Sequence, residues 1–477
     1  MLFNSYEFIF IYLPITLLIY FTFARFHYTK LATTSLIIAS LVFYSYWDIR
    51  YLPLLLVSIV LNYNIGTAIE RNRSRILLIF GLIVNLALLG YFKYFGFFIH
   101  SINDLFDNGL LVPEIILPLG ISFFTFTQTA FLIDAFRGET RKYSFLNYTL
   151  FVTVFPHLIA GPILYHKDMI PQFSRLRNFV FSHKSFAMGL GFFIIGLFKK
   201  VIIADTLSPW VKIAFIHAQN LTLIDAWLGA VSYTFQLYFD FSGYSDMAIG
   251  LGLMFNFKLP INFNSPYKSI SIIEFWRRWH MTLSVFLKNY LYIPLGGNKY
   301  GELKRIRNLI ITMFLGGLWH GAGWTFIVWG SLHGIYLVIN HFWRKLNKSL
   351  PNSISWLLTF ICVVVAWVFF RATNLNDAMS IVHAMFGFKG VVIPLQYTEK
   401  LHTFLPSLTY GKLYIESINK QIAVLLVLLI IVLKAPNTQQ LMKKIQPKSS
   451  LAIIMVIMAI VSLLKINRVS EFLYFQF

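Results

Sequence analysis

Charge is what this sequence has least of. Asp, Glu, Lys and Arg make up 12% of its 477 residues, where a soluble globular domain carries about a quarter. The chain is 57% hydrophobic and 18% aromatic, with a mean hydropathy of +0.68. That balance excludes a water-soluble globule and reads as a polytopic membrane protein. No polar stretch is long enough to be a soluble domain, although the length would allow several. Residues 1–477 therefore read as a single membrane-embedded domain. Acid is scarcer than base, with 19 Asp and Glu against 40 Lys and Arg and a formal net charge of +21. On a soluble fold such an excess would point to nucleic acid. Here the basic residues sit in short loops between apolar runs, the positive-inside signature, so nucleic acid is set aside as a partner.

Cysteine is almost absent. The one cysteine, Cys362, lies in the apolar run I-C-V-V-V-A-W. This excludes an intramolecular disulfide and a paired-thiolate metal site, and leaves Cys362 a packing role. Also missing are a phosphate-binding glycine loop with its lysine, G-x-S-x-G and H-E-x-x-H, so kinase, serine-hydrolase and zinc-protease readings lose support. The histidines are too scattered to argue for a metal. Neither an internal repeat nor a low-complexity segment is present.

What the sequence does have is apolar runs of membrane length, about 20 residues each. The N-terminal run has no basic n-region and no small-residue cleavage site, and reads as a retained first span rather than a signal peptide. Further spans are expected near residues 31–46, 52–69, 76–95 and 115–136. The loops with Arg25 and Lys30, with R-N-R-S-R at 71–75, and with R-G-E-T-R-K at 137–142 are basic. The loop holding Asp104, Asp107 and Glu114 has no Lys or Arg. These loops agree on one orientation, basic side cytoplasmic and N-terminus outside. Residues 146–163 contain Pro156, His157, Gly161 and Pro162 and read as a broken or re-entrant piece, with His157 structural. A span at 187–203 is interrupted by Lys199 and Lys200. A span or span pair is expected in 223–257, where Ser242-Gly243 offers a turn and Asp246 a helix cap. Residues 273–292 read as one amphipathic helix at the cytoplasmic face, with Trp276, Trp279, Leu283 and Phe286 on one side and Arg277 and Lys288 elsewhere. A broken pair at 309–343 and spans at 354–370, 422–433 and 451–464 complete the chain. The expected fold is an all-α polytopic integral membrane protein of about eleven transmembrane helices, with re-entrant and interfacial helices, around a central cavity.

The stretch G-G-L-W-H-G-A-G-W-T-F-I-V-W-G-S-L-H-G-I-Y, residues 316–336, carries the sharpest signal. It is apolar enough for a membrane, yet holds His320, His333 and six glycines. A titratable side chain in hydrocarbon is costly unless paired or facing a wet cavity. The glycines around His320 weaken a regular helix there, and irregular backbone at membrane depth survives only where protein buries it or water reaches it. His320 is thus expected to line an internal cavity rather than face lipid. An imidazole there can take a proton from an attacking hydroxyl and return it to a leaving thiolate, as thioester-to-alcohol acyl transfer requires. The alternative is a buried histidine that satisfies backbone freed by the glycines. His333, thirteen residues on, would lie about 20 Å along an ideal helix, and can approach His320 only if the chain turns back; it suits a supporting role. His280, in W-R-R-W-H, either sits at the interface among arginines or re-enters toward the cavity. Asp240 and Asp246, in F-D-F-S-G-Y-S-D, either orient an imidazole or bind a polar acceptor, or are structural.

Taken together these motifs resemble the membrane-bound O-acyltransferases of bacteria, most nearly the alginate O-acetyltransferase type. The resemblance rests on L-P-L-G-I-S-F-F-T-F at 117–126, F-P-H-L-I-A-G-P-I at 155–163, Y-F-D-F-S-G-Y-S-D-M-A-I-G at 238–250, N-F-N-S-P-Y at 262–267, F-W-R-R-W-H-M-T-L-S at 275–284, G-G-L-W-H-G-A-G-W at 316–324 and the terminal F-L-Y-F-Q-F. It implies a multi-pass cytoplasmic-membrane enzyme that passes an acetyl group from a cytoplasmic donor, acetyl-CoA, toward an exported glycan or a periplasmic partner acetyltransferase. No permanently bound cofactor and no metal are implied. The catalytic histidine falls on His320 and a second functional histidine on His280, with Trp319, His333, Asp240 and Asp246 in support. Two rivals remain at this point. D-alanyl transfer to teichoic acid would share the fold and both histidines, and a transporter of acyl donor or glycan would also use broken spans with buried polar residues.

Overall fold

The computed structural model describes residues 1–140, 142–159, 161–398, 409–414, 417–444, 448–466 and 473. Helices account for nearly all the regular structure. Strand appears among these residues only as a parallel pair, Val392–Pro394 with Thr409–Gly411. Five helical runs are long and apolar enough to cross a membrane: Glu7–Arg25, Ile49–Asn72, Arg75–Phe106, His183–Ile216 and Asn352–Arg371. A bent pair, Ile418–Lys434 with Thr438–Lys444, makes a sixth, and Thr29–Ser45 and Ser449–Lys465 are apolar but shorter. This is fewer than the eleven or so expected. The run at 309–343 is one reason: its first helix, Glu302–His320, opens with Glu302, Lys304, Arg305 and Arg307, which lower its apolar character. The closing F-L-Y-F-Q-F lies outside the described residues except for Leu473.

The chain divides into two compact units. The first comprises Met1–Phe198, Ser242–Asn262 and Thr438–Phe477. Some of its helices begin at a serine cap. The Ser74 hydroxyl accepts from the Leu77 amide and the Ser144 hydroxyl from the Asn147 amide, satisfying donors that a helix start leaves free. Polar side chains then tie the spans together, as expected where no water competes. Asn85 donates to Asn62 at 2.6 Å, and Gln128 to Ser58 at 2.8 Å. The piece at 146–163 is indeed broken, into Phe145–Thr153 and Phe155–Leu158. His157 is buried there, with Nε2 3.0 Å from the Phe151 carbonyl, a structural place.

The second unit comprises Lys199–Phe241 and Phe263–Asn437. One part of its core joins Ala214, Ala226 and Ala230 to Val364, Val368 and Ile381. The small alanines let the helix Leu223–Met254, which belongs to this unit up to Phe241, lie close to the branched residues of Asn352–Arg371. That first helix runs 32 residues without interruption. The turn expected at Ser242-Gly243 does not form, and Asp246 lies inside this helix rather than at a helix start. Apolar residues on all sides of it supply contacts that outweigh the turn preference of one Ser-Gly pair.

Candidate active site

Glu302–His320 ends at the residue of interest. Gly321 and Gly323 take extended conformations, with φ of −155° and −168°, and a new helix, Trp324–Lys345, begins at once. The two helices then pack backbone to backbone. A methyl on Gly317 would stand 2.3 Å from the Phe326 carbonyl oxygen, and one on Gly330 2.3 Å from the Met313 carbonyl oxygen. Gly334 meets Ile310 in the same way. Later residues of one helix thus face earlier residues of the other, and the pair is antiparallel. Small residues spaced four apart are the usual means of such close approach. The chain does turn back between His320 and His333, and Trp329 stands against both, with ring centroids 5.1 Å from His320 and 5.0 Å from His333.

The third histidine arrives by a second break. Residues 273–292, expected as one helix, are divided into Ile272–Arg278 and Met281–Leu287, with a wider helical turn at Lys288–Tyr292. Between the first two, His280 adopts a left-handed backbone, φ 42° and ψ 54°, a conformation that non-glycine residues rarely hold. The expected amphipathic division nonetheless holds. Trp276, Trp279, Leu283 and Phe286 are buried, while Arg277 and Lys288 are exposed. Two motifs that lie apart in the sequence meet at the break. The Asn264 amide donates to the Arg278 carbonyl at 2.9 Å, and Arg278 returns Nη1 to the Asn264 carbonyl at 3.2 Å. Arg278 also pairs with Glu274 at 2.8 Å. Nearby, Lys268 donates to the Ala435 carbonyl; burial, and then the Arg278 charge, hold its ammonium below the usual lysine range.

These breaks gather the three histidines into one aromatic cluster. His280 and His320 have ring centroids 6.2 Å apart. Trp319 lies 4.9 Å from His320 and 6.3 Å from His280, Phe370 lies 5.2 Å from His320, and Phe241 lies 4.9 Å from His280. His333 takes a hydrogen bond on Nδ1 from the Trp276 indole at 3.3 Å and has Phe275 stacked nearly parallel to its ring. The three are 0%, 6% and 0% exposed in the order His280, His320, His333. His320, the least enclosed, is the one at the chain break.

The aspartates of D-F-S-G-Y-S-D part company. Asp240 accepts from Lys200 at 2.6 Å, and Lys200 also faces Asp205 at 3.1 Å. Lys200 and Asp240 are both buried, and the next residue, Phe241, touches His280. Asp246 belongs to the first unit, where it accepts from Thr438 at 2.6 Å and Gln439 at 3.2 Å. Neither bond involves a histidine. Lys200 and Asp205 carry no motif, and only the interruption of an apolar run by Lys199 and Lys200 signals them. A further buried group went unsignalled: in the first unit His166 places Nε2 2.9 Å from Asp134 and Nδ1 3.0 Å from the Tyr143 hydroxyl. A cavity of about 1340 Å³ also lies in the first unit, and none of the cluster's side chains lines it.

Buried imidazoles within ring contact, held by tryptophans at chain breaks, can take a proton from an attacking hydroxyl and return it to a leaving group. Residues 43–382 match the model of the membrane-bound O-acyltransferase family. The chain belongs to that family. The matched span holds every histidine and aspartate of the cluster and its surroundings described above. The chain is 47% identical over 425 residues to the peptidoglycan O-acetyltransferase of Helicobacter pylori, covering 82% of this chain and 81% of that protein. It is 46% identical over 402 residues to the probable alginate O-acetylase AlgI of Pseudomonas aeruginosa, covering 81% and 75%. The teichoic acid D-alanyltransferase of Streptococcus thermophilus is more distant, at 29% over 246 residues and 49% of this chain. The protein is a multi-pass membrane O-acyltransferase, and the transporter alternative falls away.

Proposed function

We propose that this enzyme transfers acetyl from acetyl-CoA, taken up on the cytoplasmic side of a bacterial inner membrane, to a hydroxyl of an exported polysaccharide or of a partner acetyltransferase outside. His320 is the general base. It takes the proton as the acceptor oxygen bonds to the thioester carbonyl carbon, and returns it to the sulfur as the carbon–sulfur bond breaks. His280, 6.2 Å away between ring centroids, orients the reacting groups. Trp319 and His333 hold the two in place, the latter through Trp276 and Trp329. Asp240 supports His280 at one remove through Phe241, and Asp246 has a structural place. Further helices, Glu302–His320 and Trp324–Lys345 among them, cross the membrane around a passage to His320, and the whole chain acts as one membrane-embedded domain. The observation that carries the reading is His320 at a glycine-marked chain break, in ring contact with a second buried histidine.

The acetyl assignment follows the relatives named for O-acetylation, which match over four-fifths of this chain, against a D-alanyl relative over about half of it. The test is transfer of radiolabelled acetyl from acetyl-CoA, in membrane vesicles bearing the protein, to alkali-labile ester on polysaccharide or partner. Wild type is expected to transfer acetyl and not D-alanine, and His320→Ala to transfer nothing above background. Full transfer by His320→Ala would overturn the role of the histidine, and D-alanyl ester as product would overturn the donor.

A further inference from the structure

The cavity in the first unit is a cleft between the helices Glu7–Arg25 and the first part of His183–Ile216, closed at one end by Ala459 and Leu463 of Ser449–Lys465. At about 1340 Å³ it exceeds the range of a small-molecule pocket, about 300–1,000 Å³. Its wall is mostly Leu, Ile and Phe. Its charged and titratable residues are all basic: Arg25, His27, Arg177 and His183, with no Asp or Glu. They are also grouped. Arg25 ends one helix and His183 begins the other, with His27 in the turn after the first and Arg177 in the short helical turn Leu176–Phe179 before the second. From Ile9 to Arg25 the first helix runs sixteen residues, about 24 Å, and from Leu197 back to His183 the second runs fourteen, about 21 Å. Both therefore lead from an apolar end to a basic end. At the apolar end the Tyr6 hydroxyl donates to the Leu463 carbonyl at 2.7 Å. Among the described residues, no carboxylate pairs with Arg25 or Arg177.

We propose that this cleft binds one anionic phospholipid, its tails along the Leu, Ile and Phe wall and its phosphate among Arg25, Arg177, His27 and His183. A zwitterionic lipid would fill the apolar part equally well. It would leave the arginines beside its own ammonium, whereas an anionic headgroup meets them with net negative charge and charge-assisted hydrogen bonds. Basic side chains at a membrane surface favour anionic lipids for the same reason. No residue of the histidine cluster lines the site, and its occupancy does not depend on the acyl group transferred.

The test is native mass spectrometry of the full-length, detergent-purified protein, offered phosphatidylglycerol and phosphatidylcholine with identical tails in equal amounts. Wild type is expected to retain phosphatidylglycerol over phosphatidylcholine by roughly tenfold. Arg25→Gln with Arg177→Gln should abolish that preference while still binding both lipids. The charge-conserving pair Arg25→Lys with Arg177→Lys should keep most of it, which separates charge from a general folding defect. Leu190→Trp, which fills the cleft, should lower retention of both lipids. Soluble glycerol phosphate, a headgroup without tails, should displace neither. Equal retention by wild type, a preference that survives the glutamine pair, or displacement by glycerol phosphate would each overturn the proposal.

Discussion

His280 joins an observed structural role, carried by its backbone, to the chemical role proposed for its ring. Its left-handed backbone turns the chain between two short helices, and its ring lies between Phe241 and His320. The two contributions can be separated, because asparagine tolerates the left-handed region and alanine does not. Histidine already bears the left-handed cost of about 1–2 kcal/mol, so His280→Ala keeps that strain and loses what the ring contributes, while His280→Asn relieves part of the strain. Thermal unfolding of the two variants is therefore expected to rank Asn above Ala, while acetyl transfer falls by more than tenfold in both. A variant as active as wild type would remove His280 from the reaction. At this scale the sequence was legible for His320, because glycines on either side of an imidazole in an apolar run signal a break. It was not legible for the conformation of His280. Nothing in R-R-W-H-M-T breaks a helix by residue type, and the bend is set by tertiary contacts, among them the pairing of Asn264 with Arg278. Nor did Asp240 and Asp246, six residues apart, announce that one would pair with Lys200 and the other with Thr438.

Among the elements, the pair Glu302–His320 and Trp324–Lys345 decides whether the cluster exists. His320 and His333 share Trp329 only because Gly317 and Gly330 bring the two backbones into contact. Gly330→Leu would drive a branched side chain into the Met313 carbonyl, where even a methyl stands at 2.3 Å. Overpacking of this kind costs about 1–3 kcal/mol, and here it also separates Trp329 from His320. The variant is expected to lose transfer activity and unfold at lower temperature, whereas Ser331→Ala, one position on and half-buried, should do neither. Equal behaviour of the two would mean that the helix contact does not support the site. The broken pair was readable from its glycines, as were the helices Glu7–Arg25, Ile49–Asn72 and Arg75–Phe106 from apolar length. The uninterrupted Leu223–Met254 helix was not, because Ser242-Gly243 looks like a turn until the apolar contacts on every side are known. Lys200 illustrates the same limit. A lysine inside an apolar run suggests a break, yet the helix continues because Asp240, forty residues away, and Asp205 receive its charge. Burying an ammonium is tolerable only with such partners.

For the molecule as a whole, the chemistry requires a direction. In the proposed reaction a cytoplasmic donor and an exported acceptor reach one imidazole from opposite faces, so the orientation of the spans is part of that proposal. The distribution of charge predicts an orientation: Arg71, Arg73 and Arg75 inside, and the loop with Asp104, Asp107 and Glu114 outside. The near absence of cysteine makes this directly measurable. Cys362→Ser gives a chain without thiols, and Cys362, partly buried in an apolar helix, has no bond to lose. On that background Ser74→Cys and Asn108→Cys place single thiols in the two loops, at the junction of Ile49–Asn72 with Arg75–Phe106 and just after the latter. A membrane-impermeant maleimide added to cells with a permeabilised outer membrane and an intact inner membrane should label Asn108→Cys. It should label Ser74→Cys only after the inner membrane is opened. The reverse pattern would place Arg71, Arg73 and Arg75 on the outer face. An acetyl donor confined to the cytoplasm would then meet the acidic side of the protein, and the proposed direction of transfer would have to be abandoned.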